Sequence, residues 1–231
     1  MQIYGFNKTT LLDYPKHLAA TIFLGGCNFR CPFCHNASLV TKLYSQPTIP
    51  VEEVFSYLQK RKKILEGVCI TGGEPTLYAE LPDFIKDIKS LGLKVKLDTN
   101  GSNPSMLESL VQNSLIDYVA MDIKNSKEHY GFSVGVPNYD VTPICESVSY
   151  LLTDPVDYEF RTTIVQEHHN EQDIHSIGEW IRGAKAYYLQ SYQDSGDVIT
   201  PGLNSHTIET LQTFTKVLTP YVQQVSLRGI S

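Results

Sequence analysis

Short apolar, β-rich segments alternate with longer stretches of helical period along most of the chain. The strand pattern picks out residues 19–24, 68–71, 94–98, 118–122, 158–165, 186–190 and 222–227. Pro50 opens a predicted helix in which Val51, Val54, Phe55 and Leu58 are spaced for one buried face. A second helix carries Leu81, Phe84, Ile85 and Ile88 on one stripe and stops near Gly92, and others are predicted over 104–112, 141–152, 171–181 and 205–218. The alternation predicts an α/β fold of parallel strands joined by right-handed crossovers, with helices covering the sheet. About six repeats point to an open or partial barrel, because a full eightfold one takes roughly 250 residues. No long linker or low-complexity tract divides the 231 residues, so a single domain over 1–231 is expected.

Composition narrows the setting. At 42% hydrophobic and 19% charged residues the chain reads as a globular protein, not a disordered one. No apolar run reaches the roughly 20 residues of a membrane span, and the first dozen residues lack the layout of a signal peptide, so a cytoplasmic protein without a membrane partner is expected. A net charge of -6 argues against a nucleic-acid partner, and the basic run at 60–63 reads as the solvated end of a helix. Five cysteines, an odd number, do not suggest a disulfide framework in such a compartment. Three of them fall within eight residues. Cys69 and Cys145 read instead as buried small apolar residues, and His168 and His169 as solvent-facing loop.

In α/β sheets of this kind chemistry gathers at the carboxyl ends of the strands. The segment Gly25-Gly26-Cys27-Asn28-Phe29-Arg30-Cys31-Pro32-Phe33-Cys34-His35 directly follows the first predicted strand and spaces its thiols as C-x3-C-x2-C. Three thiolates on one loop can converge on a metal centre. Zinc usually takes four ligands, and His35 beside Cys34 is poorly placed to close that set, although a zinc-bound group stays open as an alternative. A cubane cluster on three thiolates leaves one iron without a protein ligand and therefore free for substrate. The next strands end in Thr71-Gly72-Gly73-Glu74-Pro75, Asp98-Thr99-Asn100-Gly101 and Met121-Asp122-Ile123-Lys124. The paired glycines let backbone approach a ligand closely. Turn-forming Asp, Thr and Asn are unremarkable singly, but four successive strands deliver ligand-capable residues to one face.

Together these segments resemble the radical S-adenosylmethionine (SAM) superfamily, whose fold is a partial (β/α)6-type barrel. The resemblance implies a [4Fe-4S] cluster on Cys27, Cys31 and Cys34, with SAM chelating the open iron. It implies that Phe33 packs near the adenine and that the Gly72-Gly73-Glu74-Pro75 turn binds the methionine amino group. In the glycyl-radical-activating branch, Asp98, Thr99, Asn100, Asp122 and Lys124 match residues lining the SAM pocket, and Arg161 matches an arginine approaching its ribose or carboxylate. Where a related activator has a histidine, this chain reads Leu189-Gln190-Ser191-Tyr192, and Gln190 is the expected polar contact.

The likeness, carried also by Leu12-Asp13-Tyr14-Pro15 and Phe160-Arg161-Thr162-Thr163, is greatest to the activating proteins of anaerobic ribonucleoside-triphosphate reductase. It implies an oxidoreductase that leaves a glycyl radical on a partner enzyme and draws its electron from a flavodoxin or ferredoxin. Two alternatives remain open: a radical SAM enzyme acting on a small molecule, like the deazapurine carboxylate synthases, and a non-enzymatic electron-transfer or zinc module. Two further expectations concern the pocket. A side chain at Gly73 should weaken SAM binding far more than it disturbs the cluster. Asp98 and Asp122, on neighbouring strands about 4.8 Å apart beside the SAM carboxylate, should repel unless one is protonated or finds a counter-charge beyond Lys124; a Na⁺ or K⁺ among them, the Thr99 hydroxyl and the Met121 carbonyl is expected to relieve this, the alternative being that both aspartates merely cap loops.

Overall fold

The computed structural model describes residues 1–230. Its eight strands form one sheet in simple chain order, β1 (Ile3–Thr10), β2 (Ala19–Leu24), β3 (Gly67–Gly72), β4 (Lys94–Thr99), β5 (Tyr118–Asp122), β6 (Asp157–Ile164), β7 (Tyr187–Ser191) and β8 (Val225–Arg228). β1 runs antiparallel to β2, and β2 through β8 are parallel. This is the expected α/β partial barrel, with seven parallel strands and an antiparallel strand added at one edge. The added strand escapes the sequence pattern because an edge strand with most of its residues half-buried or exposed has no clean alternation.

The connections carry helices α1 (Ser38–Thr41), α2 (Val51–Arg61), α3 (Leu81–Ser90), α4 (Pro104–Gln112), α5 (Tyr130–Ser133), α6 (Thr142–Leu152), α7 (Glu171–Trp180) and α8 (Ile208–Leu218). Their starts are chemically marked. Asn103 accepts from the Met106 N–H ahead of Pro104, Asn170 and Asp173 form a reciprocal capping box, and Thr207 accepts from the Thr210 N–H. The last of these caps explains why α8 begins after residue 205. In α3 the stripe Leu81, Phe84, Ile85 and Ile88 is buried as its spacing predicts.

Each central strand has two unlike faces. Ile70, Leu97, Val119, Phe160 and Leu189 pack into the hydrophobic core. Alternate positions turn the opposite way and bring Lys96, Asp98, Asp122, Glu159 and Arg161 to the inner face. Charges buried this way are costly unless paired, and here they are paired. At the amino-terminal end of the strands, Tyr14 is buried against the Gly67 backbone with its ring 6.0 Å from that of Tyr118, and Asp13 accepts from the Thr21 hydroxyl at 2.5 Å. The Leu12-Asp13-Tyr14-Pro15 segment thus packs at the far end of the sheet from the cysteine loop.

Candidate active site

β2 ends at Leu24, and the chain leaves the sheet through Gly25 and Gly26 into the cysteine loop. Contacts from distant segments hold that loop. The Gly26 N–H donates to the Leu39 carbonyl at 2.8 Å, the Arg30 N–H to the Val134 carbonyl at 2.8 Å, and the Thr200 N–H to the Pro32 carbonyl at 2.8 Å. The Arg30 guanidinium folds back onto the Cys27 and Phe29 carbonyls at 2.6 and 2.7 Å. Asn36 ties the loop to the neighbouring strand by donating to the Gly72 carbonyl at 3.1 Å. The result places Cys27, Cys31 and Cys34 in the wall of one cleft that is open to solvent.

The end of β3 forms the second wall. Gly72 has φ +114°, and a Cβ on Gly73 would stand 1.9 Å from the Gly26 carbonyl oxygen. Gly73 and Glu74 donate their backbone N–H groups to the Leu24 and Gly26 carbonyls, both at 2.8 Å. The paired glycines therefore bring two stretches of backbone together, the turn after β3 and the base of the cysteine loop. Glu74 does not line the cleft. Its fully buried carboxylate accepts from the Thr76 N–H at 3.0 Å, the Thr76 and Thr99 hydroxyls at 2.5 and 2.7 Å, and the Asn100 N–H at 2.6 Å. It brackets the ends of β3 and β4. Burial raises its pKa, against the lowering effect of these donors.

Charged groups from β4, β5 and β6 form the floor. Arg161 donates to Asp122 at 2.8 Å through Nε and to Asp98 at 3.3 Å through Nη1. Lys124 donates to Asp122 at 2.9 Å, and the buried Lys96 donates to Asp98. Burial works to raise the pKa of Asp98 and Asp122, but Arg161, with Lys96 and Lys124, holds both carboxyls below the usual range. Three cations face two carboxylates, so this floor carries one excess positive charge.

Burial pushes the Cys27 thiol up to about 11 and Cys31 up to about 12, and raises Cys34, while Lys124 opposes the rise at all three. Without a metal these thiols are protonated at pH 7, and binding a metal centre would release their protons. Phe33 lies buried beneath the loop, edge-on to His168 with ring centroids 5.2 Å apart. His169 accepts from the Val165 N–H at 3.1 Å through Nδ1, which leaves Nε2 to donate to the Lys124 carbonyl at 2.9 Å. Both histidines are buried, contrary to the expectation of a solvent-facing loop. Their local sequence is polar, and only the tertiary contact with β5 and the cysteine loop explains their burial.

Residues 21–181 match the Radical SAM superfamily. The chain belongs to this superfamily. A protein of Methanocaldococcus jannaschii named "Putative glycyl-radical enzyme activating enzyme" is 30% identical to it over 99% of this chain and 96% of its own length. A 7-carboxy-7-deazaguanine synthase of Koribacter versatilis is 28% identical over 67% of this chain and 65% of its own length. Among solved structures, a domain of a pyruvate-formate lyase-activating enzyme from Bacteroides vulgatus superposes with a TM-score of 0.57 at 23% identity, over 71% of this chain and 99% of that domain.

Radical SAM membership implies a [4Fe-4S] cluster and SAM, and the donor set fits them. Thiols bound to one zinc would lie about 3.8 Å apart, since each sits about 2.3 Å from the ion. Among the described residues no three His, Cys, Asp or Glu side chains are grouped to hold a single ion. The three cysteines line one cleft, next to close-packed glycine backbone and a net positive floor.

All the residues expected to contact SAM line this cleft except Glu74. Met121 does not line it either, being buried with its side chain packed on Gly101. The Thr99 hydroxyl is committed to Glu74 and to the Gly101 N–H at 3.1 Å. Arg161, Lys96 and Lys124 already pair with Asp98 and Asp122, so nothing in these contacts supports the expected Na⁺ or K⁺ on Asp98, Thr99, Met121 and Asp122. Sequence reasoning missed Lys96 and Glu159, although alternate polar positions in Lys94-Val95-Lys96-Leu97-Asp98 and Glu159-Phe160-Arg161 mark the inner face. It also missed Asn36, Thr163 and His35, the last of which stacks on Tyr192 at 5.6 Å beside Cys34.

Proposed function

We propose that this radical SAM enzyme generates a glycyl radical on a partner enzyme, most consistently an anaerobic ribonucleoside-triphosphate reductase. The observation that carries the reading is the end-to-end similarity to the M. jannaschii protein at nearly equal length. The sheet supports it, since β1 and β8 do not pair and the barrel is left unclosed for a peptide loop to reach the cleft.

In this reading Cys27, Cys31 and Cys34 hold the [4Fe-4S] cluster. When bound, the cluster supplies the electron, drawn from a flavodoxin or ferredoxin, that splits SAM into methionine and a hydrogen-abstracting 5'-deoxyadenosyl radical. The protein's part is placement. The close-packed backbone at Gly72 and Gly73 receives the methionine moiety, and the excess positive charge over Arg161, Lys124 and Lys96 offsets its carboxylate. Asn100 and Gln190 offer amides to the rest of the ligand, and Phe33 stiffens the loop beneath it. Glu74 acts one step back by fixing the turns that carry Thr99 and Asn100.

Incubation of reconstituted enzyme, SAM, reductant and the candidate reductase should give an electron paramagnetic resonance doublet that stays with the reductase on separation. SAM cleavage with no radical on any glycyl-radical partner would defeat the reading. The similarity to 7-carboxy-7-deazaguanine synthase favours a second one, a small-molecule substrate, which predicts SAM cleavage coupled to turnover of a purine precursor instead.

A further inference from the structure

The sheet ends in β8, and the register fixes which of its backbone groups face outward. The Tyr187 N–H donates to the Gln224 carbonyl at 2.9 Å, and Tyr187 pairs with Val225. In a parallel ladder the bonds then alternate, so the N–H and C=O groups of Ser226 point to β7 while those of Val225 and Leu227 point away from it. Among the described residues no other segment bonds to these outward groups. The opposite edge of the sheet is less free, because the Ile49 N–H donates to the Ile3 carbonyl at 2.8 Å on β1.

The β8 edge is held in place and adjoins the cleft. Thr163, Gln190 and Arg228 pair in register across β6, β7 and β8, and Thr163 and Gln190 line the cleft. The Arg228 guanidinium lies 3.3 Å from the centre of the Tyr188 ring and donates to the buried Glu159 carboxylate at 2.7 and 2.9 Å. That ion pair reaches across β7 and ties the last strand to β6. A strand added beyond β8 would follow at about 4.8 Å, which sets its residue in this row about 10 Å from Gln190. Side chains alternate between the faces of a strand, so a glycine in that row would direct a Cα hydrogen into the barrel where any other residue carries its side chain.

We propose that β8 takes up an extended, glycine-bearing segment of the partner enzyme as a further strand, held by the outward backbone groups of Val225 and Leu227. An unpaired edge is a template for such pairing, and its main-chain hydrogen bonds supply the affinity. The inference rests on the glycyl-radical function proposed above and states how the partner is held.

Proline is a selective probe, because it deletes an N–H and is tolerated in an edge strand where that N–H faces away from the ladder. Holoenzyme carrying Val225→Pro with Leu227→Pro should keep its cluster and its SAM cleavage without partner. It should bind a synthetic peptide spanning the glycine of the candidate reductase about tenfold more weakly than wild type. Ser226→Pro, which deletes a ladder bond to β7, should instead lose stability in chemical denaturation. Hydrogen exchange on wild-type holoenzyme needs no variant, and the peptide should protect the amides of Val225 and Leu227 there. Unchanged peptide affinity in the folded double variant overturns the proposal while the glycyl-radical reading stands, as does the absence of that protection in wild-type enzyme that binds the peptide. Wild-type enzyme that neither binds the peptide nor places a radical on the reductase defeats that reading and the proposal with it.

Discussion

Replacing Gly73 with alanine puts a methyl 1.9 Å from the Gly26 carbonyl oxygen and 2.6 Å from its carbon, where real Cβ contacts stop at about 3.0 Å. Both neighbours are backbone, so no side chain can swing aside, and the base of the cysteine loop must retreat by about 1.1 Å. That movement breaks or stretches the two 2.8 Å bonds from Gly73 and Glu74 to the Leu24 and Gly26 carbonyls. Two buried backbone bonds at about 1 kcal/mol each, with overpacking of about 1–3 kcal/mol, give a destabilisation of roughly 3–5 kcal/mol concentrated beside Cys27. The prediction therefore reverses the expectation from sequence that a side chain at Gly73 would spare the cluster and weaken mainly SAM binding. Anaerobic reconstitution followed by iron and sulfide analysis and visible absorbance measures it directly, with chemical denaturation for the stability term. Gly73→Ala should fold but recover well under half of the wild-type cluster. Recovery of a full cluster, with stability within about 0.5 kcal/mol of wild type, would refute the reasoning.

Alanine at Cys27, Cys31 or Cys34 should abolish iron retention and SAM cleavage, whereas Cys69→Ala and Cys145→Ala should keep both; cluster loss in Cys69→Ala would be contrary. SAM affinity of the wild-type holoenzyme should be equal in Na⁺, K⁺ and a bulky organic cation at matched ionic strength, because Arg161, Lys96 and Lys124 already pair with Asp98 and Asp122; a tenfold dependence on cation identity would instead support a bound ion. Burial holds His169 down to about 4, against about 6.5 when unfolded, so the unfolded chain binds the extra proton first as pH falls. Its neutral form thus contributes fully above about pH 6.5, and stability drops by up to about 3 kcal/mol as pH falls towards 4. His169→Gln should remove most of that slope in apoprotein denaturation curves, and an unchanged slope would count against the assignment.

The helices and parallel strands were legible because their signals are local. The stripe of α3, Pro104 at the start of α4 and the apolar run 118–122 each settle an element without reference to the rest of the chain. β1 was not legible, since an edge strand is defined by its neighbour and not by its own alternation. The strand-end motifs located the cleft, because in a parallel sheet every carboxyl end faces the same way. They could not tell which side chain at a strand end points into the cleft. Glu74 reads as a ligand beside two glycines, while in the structure its buried carboxylate is bonded to Thr76, Thr99 and Asn100. Asp98 and Asp122 read as an unbalanced pair because two of their counter-charges, Lys96 and Arg161, lie at inner-face positions of β4 and β6, and Arg161 bridges both carboxylates only through the tertiary fold. His168 and His169 read as loop because the elements that bury them are distant in sequence.

The central claim is that the radical made here takes a hydrogen from a glycine of a partner protein. A candidate reductase carrying glycine deuterated at Cα, incubated with reconstituted enzyme, SAM and reductant, tests it in one mass spectrum of the 5'-deoxyadenosine released. The account predicts one deuterium gained by 5'-deoxyadenosine in proportion to the glycyl radical on the reductase. 5'-Deoxyadenosine that forms in quantity and remains unlabelled contradicts it.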